Sequence, residues 1–453
     1  MPRSARSGMN SDCIIFGTDE IIKNVEPQAI WQLTNAAMLP GIVGPAIAMP
    51  DIHWGYGVPV GTVAPFDAET GIISSGMVGF DINCGISLVR TQIKYEEIAD
   101  KMPRIADSLY KRIPAGVGSK SSMRLDDKSL NEIMVDGINW LIKNRIVDTE
   151  HLKKYEDEGC IKGADPKKVS EEAKKRGKKE LGTLGAGNHF LEIQKVDEIY
   201  NKEKAEKYGI FKGQIVAMIH TGSRGFGHQI ATDYIKLHKK AQEKYNIKSP
   251  DPQLSCVPFR SDEGQAYFSA MKAAANYSFA NKLLLTKYLI DAFEKLFGIS
   301  NRIMQFETVY CIAHNICSEE TLTINNEKRN IIIHRKGATR SYPKTPVIMA
   351  GSMGTSSYLL EGTEAAVQKS FASSAHGAGR SMSRHRAIET LNREEIVAAL
   401  KKRGEIIKTN SKGTIIEEAP DVYKNIDTVI ESITSAKISE KIARFTPLTV
   451  IKG

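Results

Sequence analysis

Several features are scarce or missing in this chain of 453 residues. It has six cysteines, Cys13, Cys84, Cys160, Cys256, Cys311 and Cys317, and none forms a CxxC pair. That excludes a zinc ribbon and a thioredoxin-type motif. No apolar run reaches the roughly 18 residues of a membrane span. The best stretch, 36–50, is interrupted by Pro40, Gly41, Gly44, Pro45 and Pro50. The start, Met1-Pro-Arg-Ser-Ala-Arg6, lacks the apolar segment of a secretory signal, so a cytoplasmic location and no membrane partner are expected. There is no strict internal repeat and no low-complexity segment. The glycine-rich loops fit neither GxxxxGK[ST] nor GxGxxG, which excludes P-loop and Rossmann sites. A lysine-nucleotidyl motif K-x-D-G is also missing, since the near match Met134-Val-Asp-Gly137 lacks the lysine.

What is present is ordinary for a globular protein. Apolar residues are 41% and charged residues 25%, which excludes a disordered chain, a collagen-like fibre and a small disulfide scaffold. Lys and Arg exceed Asp and Glu by 62 to 53, a net charge of +9. So mild an excess bears on a polyanionic partner only where it is clustered. Residues 167–179 hold seven Lys/Arg against two Glu, and Asp165-Pro166 reads as the start of that helix.

The pattern along the chain points to an α+β fold. Residues 12–100 read as β-rich, and 97–182 as helix and loop. The runs 215–220 and 304–360 read as strands, 262–299 as one or two helices, and the rest to about 445 as mainly helical. Length alone suggests about three domains. Chemistry-bearing residues spread from 81 to 376 must converge, however. A single domain over 1–453 is therefore expected, built of β-sheets around a central cleft with helical insertions at about 100–180 and 242–300.

Three apolar runs each end in a histidine, at His220, His314 and His334. His189, His220, His314 and His376 have small or polar neighbours that let a ligand approach, whereas His151, His238 and His385 read as surface residues. Asp81-Ile-Asn-Cys84 stands at the entrance to a strand. A hard carboxylate, a soft thiolate and several imidazoles suit a borderline divalent ion such as Mn²⁺, Fe²⁺, Co²⁺ or Zn²⁺. Gly/Ser-rich loops at 221–227, 350–357 and 373–380 present backbone N–H groups of the kind that bind phosphate. His376 sits in the last of them, followed by Arg380, Arg384 and Arg386, and a neutral imidazole can attack a nucleotide phosphorus. A binuclear phosphoesterase would use the same metal ligands but would not need His376. A non-catalytic RNA-binding protein would need neither, and no RRM, KH or zinc-finger pattern is present.

Seven motifs in order carry a resemblance. They are Gly79-Phe-Asp-Ile-Asn-Cys-Gly85, Gly187-Asn-His-Phe190, His220-Thr-Gly-Ser-Arg-Gly225, Ala313-His-Asn315, His334-Arg-Lys-Gly-Ala-Thr339, Gly351-Ser-Met-Gly354 and Ser374-Ala-His-Gly-Ala-Gly-Arg380. Together they resemble the motif series of the RtcB family of RNA ligases, from about residue 35 to Lys452-Gly453. One departure is Ala350, where the family usually has proline. The resemblance implies a GTP-dependent ligase using two Mn²⁺ ions. It would join RNA 3′-phosphate or 2′,3′-cyclic phosphate ends to 5′-hydroxyl ends in tRNA splicing or RNA repair, with an archease-type protein as a partner. It implies that Asp81, Cys84, His189, His220 and His314 hold the metals, with Cys84 as the bridge, and that His376 becomes guanylylated. Asn188, His189, Glu192, His314, Asn315, Ala350, Gly351, Ser352, Met353, Ser357, His376, Gly377, Ala378, Gly379 and Lys452 would bind the nucleotide. Arg224, Arg335, Lys336, Arg340, Arg380 and Arg384 are expected to supply positive charge near the phosphate loops.

Overall fold

Short runs of Val, Ile and Ala between glycine-marked turns form two main sheets in the computed structural model. It describes residues 1–324 and 327–453, and the side chains of these other than Thr149, Glu150, His151 and Lys412. The larger sheet has eight strands. Its main path runs Pro346–Met349, Ser357–Gly362, Ser439–Lys452, Phe190–Ile199, Gln214–Thr221, Gly85–Lys94, Glu307–Ala313, and Ile406–Thr409 pairs in parallel with Ser439–Lys452. The smaller sheet has the order Cys13–Ile15, Ala46–His53, Val60–Asp67, Glu327–Lys336, Asn315–Ile324. Gln214–Thr221 is buried along its whole length, so both faces of the larger sheet are covered there. The chain passes from one sheet to the other at His314, between Glu307–Ala313 and Asn315–Ile324.

A single helix, Asp262–Phe297, underlies the larger sheet. Ser261 caps its start by accepting a hydrogen bond from Gly264 N at 3.1 Å, and Gly298 ends it in the left-handed conformation. Tyr267, Tyr277, Phe279, Leu283, Leu285 and Leu289 along it are fully buried. Its buried polar side chains grip the loops above. Asn281 Oδ1 accepts from Gly182 N (2.6 Å) and Thr183 N (3.1 Å). Lys282 Nζ donates to Asn83 O at 2.8 Å, and Ser278 Oγ donates to the same oxygen at 2.7 Å. The helix within 242–300 is thus part of the core.

Other expectations change in the structure. Pro166–Lys168 is one 3₁₀ turn, capped by Asp165; Val169 is extended, and the α-helix is Glu171–Glu180 with Ser170 as its cap. The C-terminal region contains the strands Ser373–Ala375 and Ile406–Thr409 and the 14-residue strand Ser439–Lys452. Glu440, Lys441, Arg444 and Pro447 interrupt the apolar alternation of that last strand. His238 is buried against Tyr234 and Tyr267, because its helix packs that face on the core. His385 is exposed, and the side chain of His151 lies outside the described residues. His334 is fully buried, with Nε2 accepting from Ser74 N at 3.0 Å, so it is a core residue.

Arg335, Lys336 and Arg340 are also structural. The Arg335 guanidinium is fully buried and forks onto Glu320, with further bonds to Ser373 Oγ (2.8 Å) and Phe371 O (3.0 Å). Arg340 pairs with Glu156, Asp157 and Glu320 at 2.9–3.3 Å, and Lys336 Nζ donates to the carbonyls of Tyr56 and Val58. Burial opposes the Glu320 charge, but Arg335 and Arg340 outweigh it and hold the carboxyl at about 2, below its ordinary 4.5. Its stabilisation is complete above pH 4.5 and fades as pH falls toward 2.

Glu320→Ala strands a buried guanidinium, so we expect a loss of roughly 3–5 kcal/mol at pH 7. Urea unfolding checks this. The gap from wild type should narrow between pH 5 and 3, and equal midpoints at pH 7 would contradict the assignment.

Candidate functional site

Four neighbouring strands of the larger sheet bring the donors together. His189 directly precedes Phe190–Ile199, and Cys84 directly precedes Gly85–Lys94. His220 is the penultimate residue of Gln214–Thr221, and His314 directly follows Glu307–Ala313. The register levels these ends: Phe190 pairs with His220, Ile86 with His220, and Gly85 with Ala313. Antiparallel order alternates starts and finishes at one edge, so residues far apart in sequence meet there.

Cys84 Sγ lies 3.2 Å from His189 Nε2 and 3.3 Å from His220 Nε2. His220 Nε2 is 3.3 Å from His314 Nε2, and Asp81 Oδ2 is 3.0 Å from His189 Nε2. Among the described residues, the donor atoms of Cys84, His189 and His220 fall within 4.8 Å of one another. Asp81 is steadied from outside by Arg224 N (3.1 Å) and Ser223 Oγ (3.4 Å), both donating to Oδ1. Gly222 is required beside it, since a Cβ there would stand 2.3 Å from Asp81 Oδ2.

Burial shapes the charges. It pushes the Cys84 thiol well above its ordinary value, with the Asp81 carboxylate adding to the effect. Burial also lowers His189, and lowers His220 and His314 far, leaving these imidazoles neutral. Burial opposes charge on Asp81 too, but the His189 hydrogen bond and Arg224 outweigh it and keep the carboxylate ionised. Neutral imidazoles, one carboxylate and a cysteine sulfur within reach of one another fit a borderline divalent ion. Asp81, Cys84, His189, His220 and His314 are the residues that would hold it.

His376 stands on the other side, just after the short strand Ser373–Ala375. Its ring centroid is 4.8 Å from that of His314. Its partner is Asp51, fully buried in Ala46–His53 of the smaller sheet. Asp51 Oδ2 accepts from His376 N at 3.0 Å and from His376 Nδ1 at 2.5 Å. A carboxylate accepts here, so Nδ1 carries a proton toward Asp51 and Nε2 is the ring nitrogen left for the cleft. Gly379 lets this turn close: its φ is +69°, and a Cβ would lie 2.2 Å from Asp51 O. Asp51 and His53 were missed by sequence reasoning. The available signal was their spacing, which puts both on one face of a strand.

The donor cluster and His376 face a cleft of about 830 Å³. Asp81, Cys84, Asn188, His189, His220, His314, Asn315, Ala350 and His376–Gly379 line it, together with His53, Arg176, Arg224, Arg380 and Arg384. Arg335, Lys336 and Arg340 do not, for the reason given by their buried partners. Glu192, Gly351, Ser352, Met353, Ser357 and Lys452 sit behind the lining. Gln194 Nε2 donates to Glu192 Oε2 (2.6 Å) and Ser357 Oγ (3.1 Å), and Ser357 Oγ accepts from Gly351 N (3.3 Å). Ser352 and Met353 are buried in the turn that follows. Lys452 Nζ donates to Gly187 O at 2.8 Å and lies 3.4 Å from Asn188 Oδ1. Burial pushes the Glu192 carboxyl up to about 8.

Comparison with known proteins shows the family. The family model described as "tRNA-splicing ligase RtcB" matches residues 32–453. The chain is 43% identical to a tRNA-splicing ligase RtcB of Thermococcus kodakarensis, over 97% of this chain and 94% of that protein. It is 41% identical to one of Methanococcus maripaludis, over 100% and 97%. An RNA-splicing ligase RtcB homolog 1 of Entamoeba dispar is 42% identical, over 98% and 88%.

The donor cluster makes a direct prediction. After dialysis against Mn²⁺, elemental analysis should find bound metal in the wild type. Cys84→Ala and His220→Ala should bind it at least as weakly as outer-shell substitutions do, roughly 10–100-fold down. Full retention in Cys84→Ala would contradict the shared-donor arrangement.

Proposed function

Because the chain belongs to the RtcB family, we propose that it is a GTP- and Mn²⁺-dependent RNA ligase. It joins an RNA 3′-phosphate or 2′,3′-cyclic phosphate end to a 5′-hydroxyl end through a guanylylated His376. The observation that carries this reading is the Asp51–His376 pair, which engages Nδ1 and leaves Nε2 turned to the same cleft as the donor cluster. A phosphoesterase has no use for such a nucleophile.

The residues divide the work. Asp51 fixes the His376 ring and retains the Nδ1 proton, so Nε2 can attack the α-phosphorus of GTP; a P–N bond forms and pyrophosphate leaves. GMP then passes to the RNA 3′-phosphate, the cyclic form having first been hydrolysed. The 5′-hydroxyl attacks that activated phosphorus and GMP departs. Asp81, Cys84, His189, His220 and His314 would hold two Mn²⁺ ions, which would neutralise charge on the phosphate oxygens and lower the pKa of the attacking hydroxyl. Arg224, Arg380 and Arg384 line the cleft as donors for phosphate oxygens, Arg380 and Arg384 being positioned by Glu418 at 3.4 Å. Glu192 and Lys452, behind the lining, and the loop Gly377–Gly379 complete the guanine nucleotide site. Glu192 matters because guanine offers N–H donors where adenine does not. The partners are then RNA ends, cleaved tRNA exons or broken RNA, with an archease-type activator, in the cytoplasm.

Incubation with α-labelled GTP and Mn²⁺ tests the reading. The wild type should acquire acid-labile, alkali-stable label and His376→Ala none. Absence of label in the wild type, or full labelling of His376→Ala, would contradict it. Asp51→Asn should slow labelling by roughly 10²–10⁴-fold, the span of a lost acid–base partner, and an unchanged rate would remove Asp51 from the mechanism.

A further inference from the structure

Beyond the donor cluster, the cleft wall turns aromatic. Phe80, next to Asp81, stacks on His228 with ring centroids 4.8 Å apart and planes 23° apart. Tyr56 meets the Phe80 ring edge-on at 5.1 Å and 65°. Phe80 and His228 both line the cleft. His228 lies four residues after Arg224 on the helix Arg224–Lys244, so the two side chains share a face. His228 is exposed, and its ring nitrogens have no hydrogen-bond partner among the described residues. One ring face rests on Phe80, while the residue as a whole remains open to solvent.

This arrangement does nothing for the donor cluster or for His376. It combines a flat aromatic surface, braced from behind by Phe80 and Tyr56, with the cleft-lining guanidinium groups of Arg176, Arg224 and Arg384. Single-stranded nucleic acid is bound by that combination: cations take the backbone phosphates and rings stack on the bases. We propose that His228, backed by Phe80, is a stacking platform for the unpaired terminal base of an RNA end in the cleft. The inference rests on the ligase reading only for the identity of the substrate. Stacking accepts any base, so the platform would position an end without selecting its sequence.

Fluorescence anisotropy with short labelled RNAs tests this at one fixed salt concentration, since phosphate contacts vary with salt. One RNA ends in a 5′-hydroxyl and another in a 3′-phosphate, each with a natural or an abasic terminal nucleotide. Wild type, His228→Ala and His228→Phe are compared. For the end that seats on the platform, His228→Ala should weaken binding by roughly 5–100-fold, the range of one lost base–aromatic stack. His228→Phe should bind like wild type. The abasic end should cost the wild type the same factor and cost His228→Ala nothing further, and the RNA showing this pattern identifies which end is bound. The proposal is overturned if His228→Ala binds both natural ends like wild type, or if it loses the same factor on abasic ends as on natural ones. Failure of the ligase reading looks different: it is loss of labelling from GTP in the wild type, with the His228 effect on RNA binding unchanged.

Discussion

Cys84, His189, His220 and His314 meet because four adjacent antiparallel strands end level with one another, and the rest of the site hangs on that register. A slip of one residue would turn the donors to the opposite face of the sheet. Burial of both faces of the central strand makes such a slip costly, since every apolar side chain on it would move as well. Packing a thiol and three imidazoles at 3.2–3.3 Å in a buried edge gives little benefit to the protein alone. A shared divalent ion would give those lone pairs a common partner. Lys282 and Ser278 secure the loop that holds Asp81 and Cys84 from below by bonding to Asn83 O.

The second sheet supplies what the first lacks. The chain crosses between the sheets at His314, and His376, its ring 4.8 Å from that of His314, bonds to Asp51 of the second sheet. Asp51 points its carboxylate at His376, fixes the tautomer and leaves Nε2 free toward the cleft. His376, through Asp51, and the donor cluster are therefore held by different sheets and share one cavity. Gly222 and Gly379 allow the close approaches to Asp81 and Asp51, where a Cβ would stand 2.3 Å and 2.2 Å from an oxygen. The basic residues divide in the same way. Arg224, Arg380 and Arg384 reach the cleft, whereas Arg335 and Arg340 hold the fold together through Glu320 and Glu156.

Much of this was legible in the sequence. The α+β class follows from alternating short apolar runs and Ala/Leu-rich helical stretches. Cys84, His189, His220, His314 and His376 stood out as chemically competent residues among small neighbours at the ends of apolar runs. What stayed hidden depends on long-range contact. Asp51 and His376 are 325 residues apart, and no local pattern joins them. His238 and His334 resemble the other histidines locally, yet the packing of Tyr234, Tyr267 and Phe66 makes them core residues. Ser439–Lys452 carries enough Lys, Arg and Pro to hide its alternation, but its neighbours on both sides draw it into the middle of the larger sheet. Charge clustering in sequence likewise could not separate cleft arginines from buried ones, because their counter-ions come from distant segments.

The central claim is that the level strand ends form a cation centre within reach of His376. Crystals grown with Mn²⁺ and measured at the manganese absorption edge test it most directly. Anomalous density among Cys84 Sγ, His189 Nε2 and His220 Nε2, with Asp81 or His314 completing the shell, is the result the account requires. Density located elsewhere with that cluster empty, or none at saturating Mn²⁺, would contradict it.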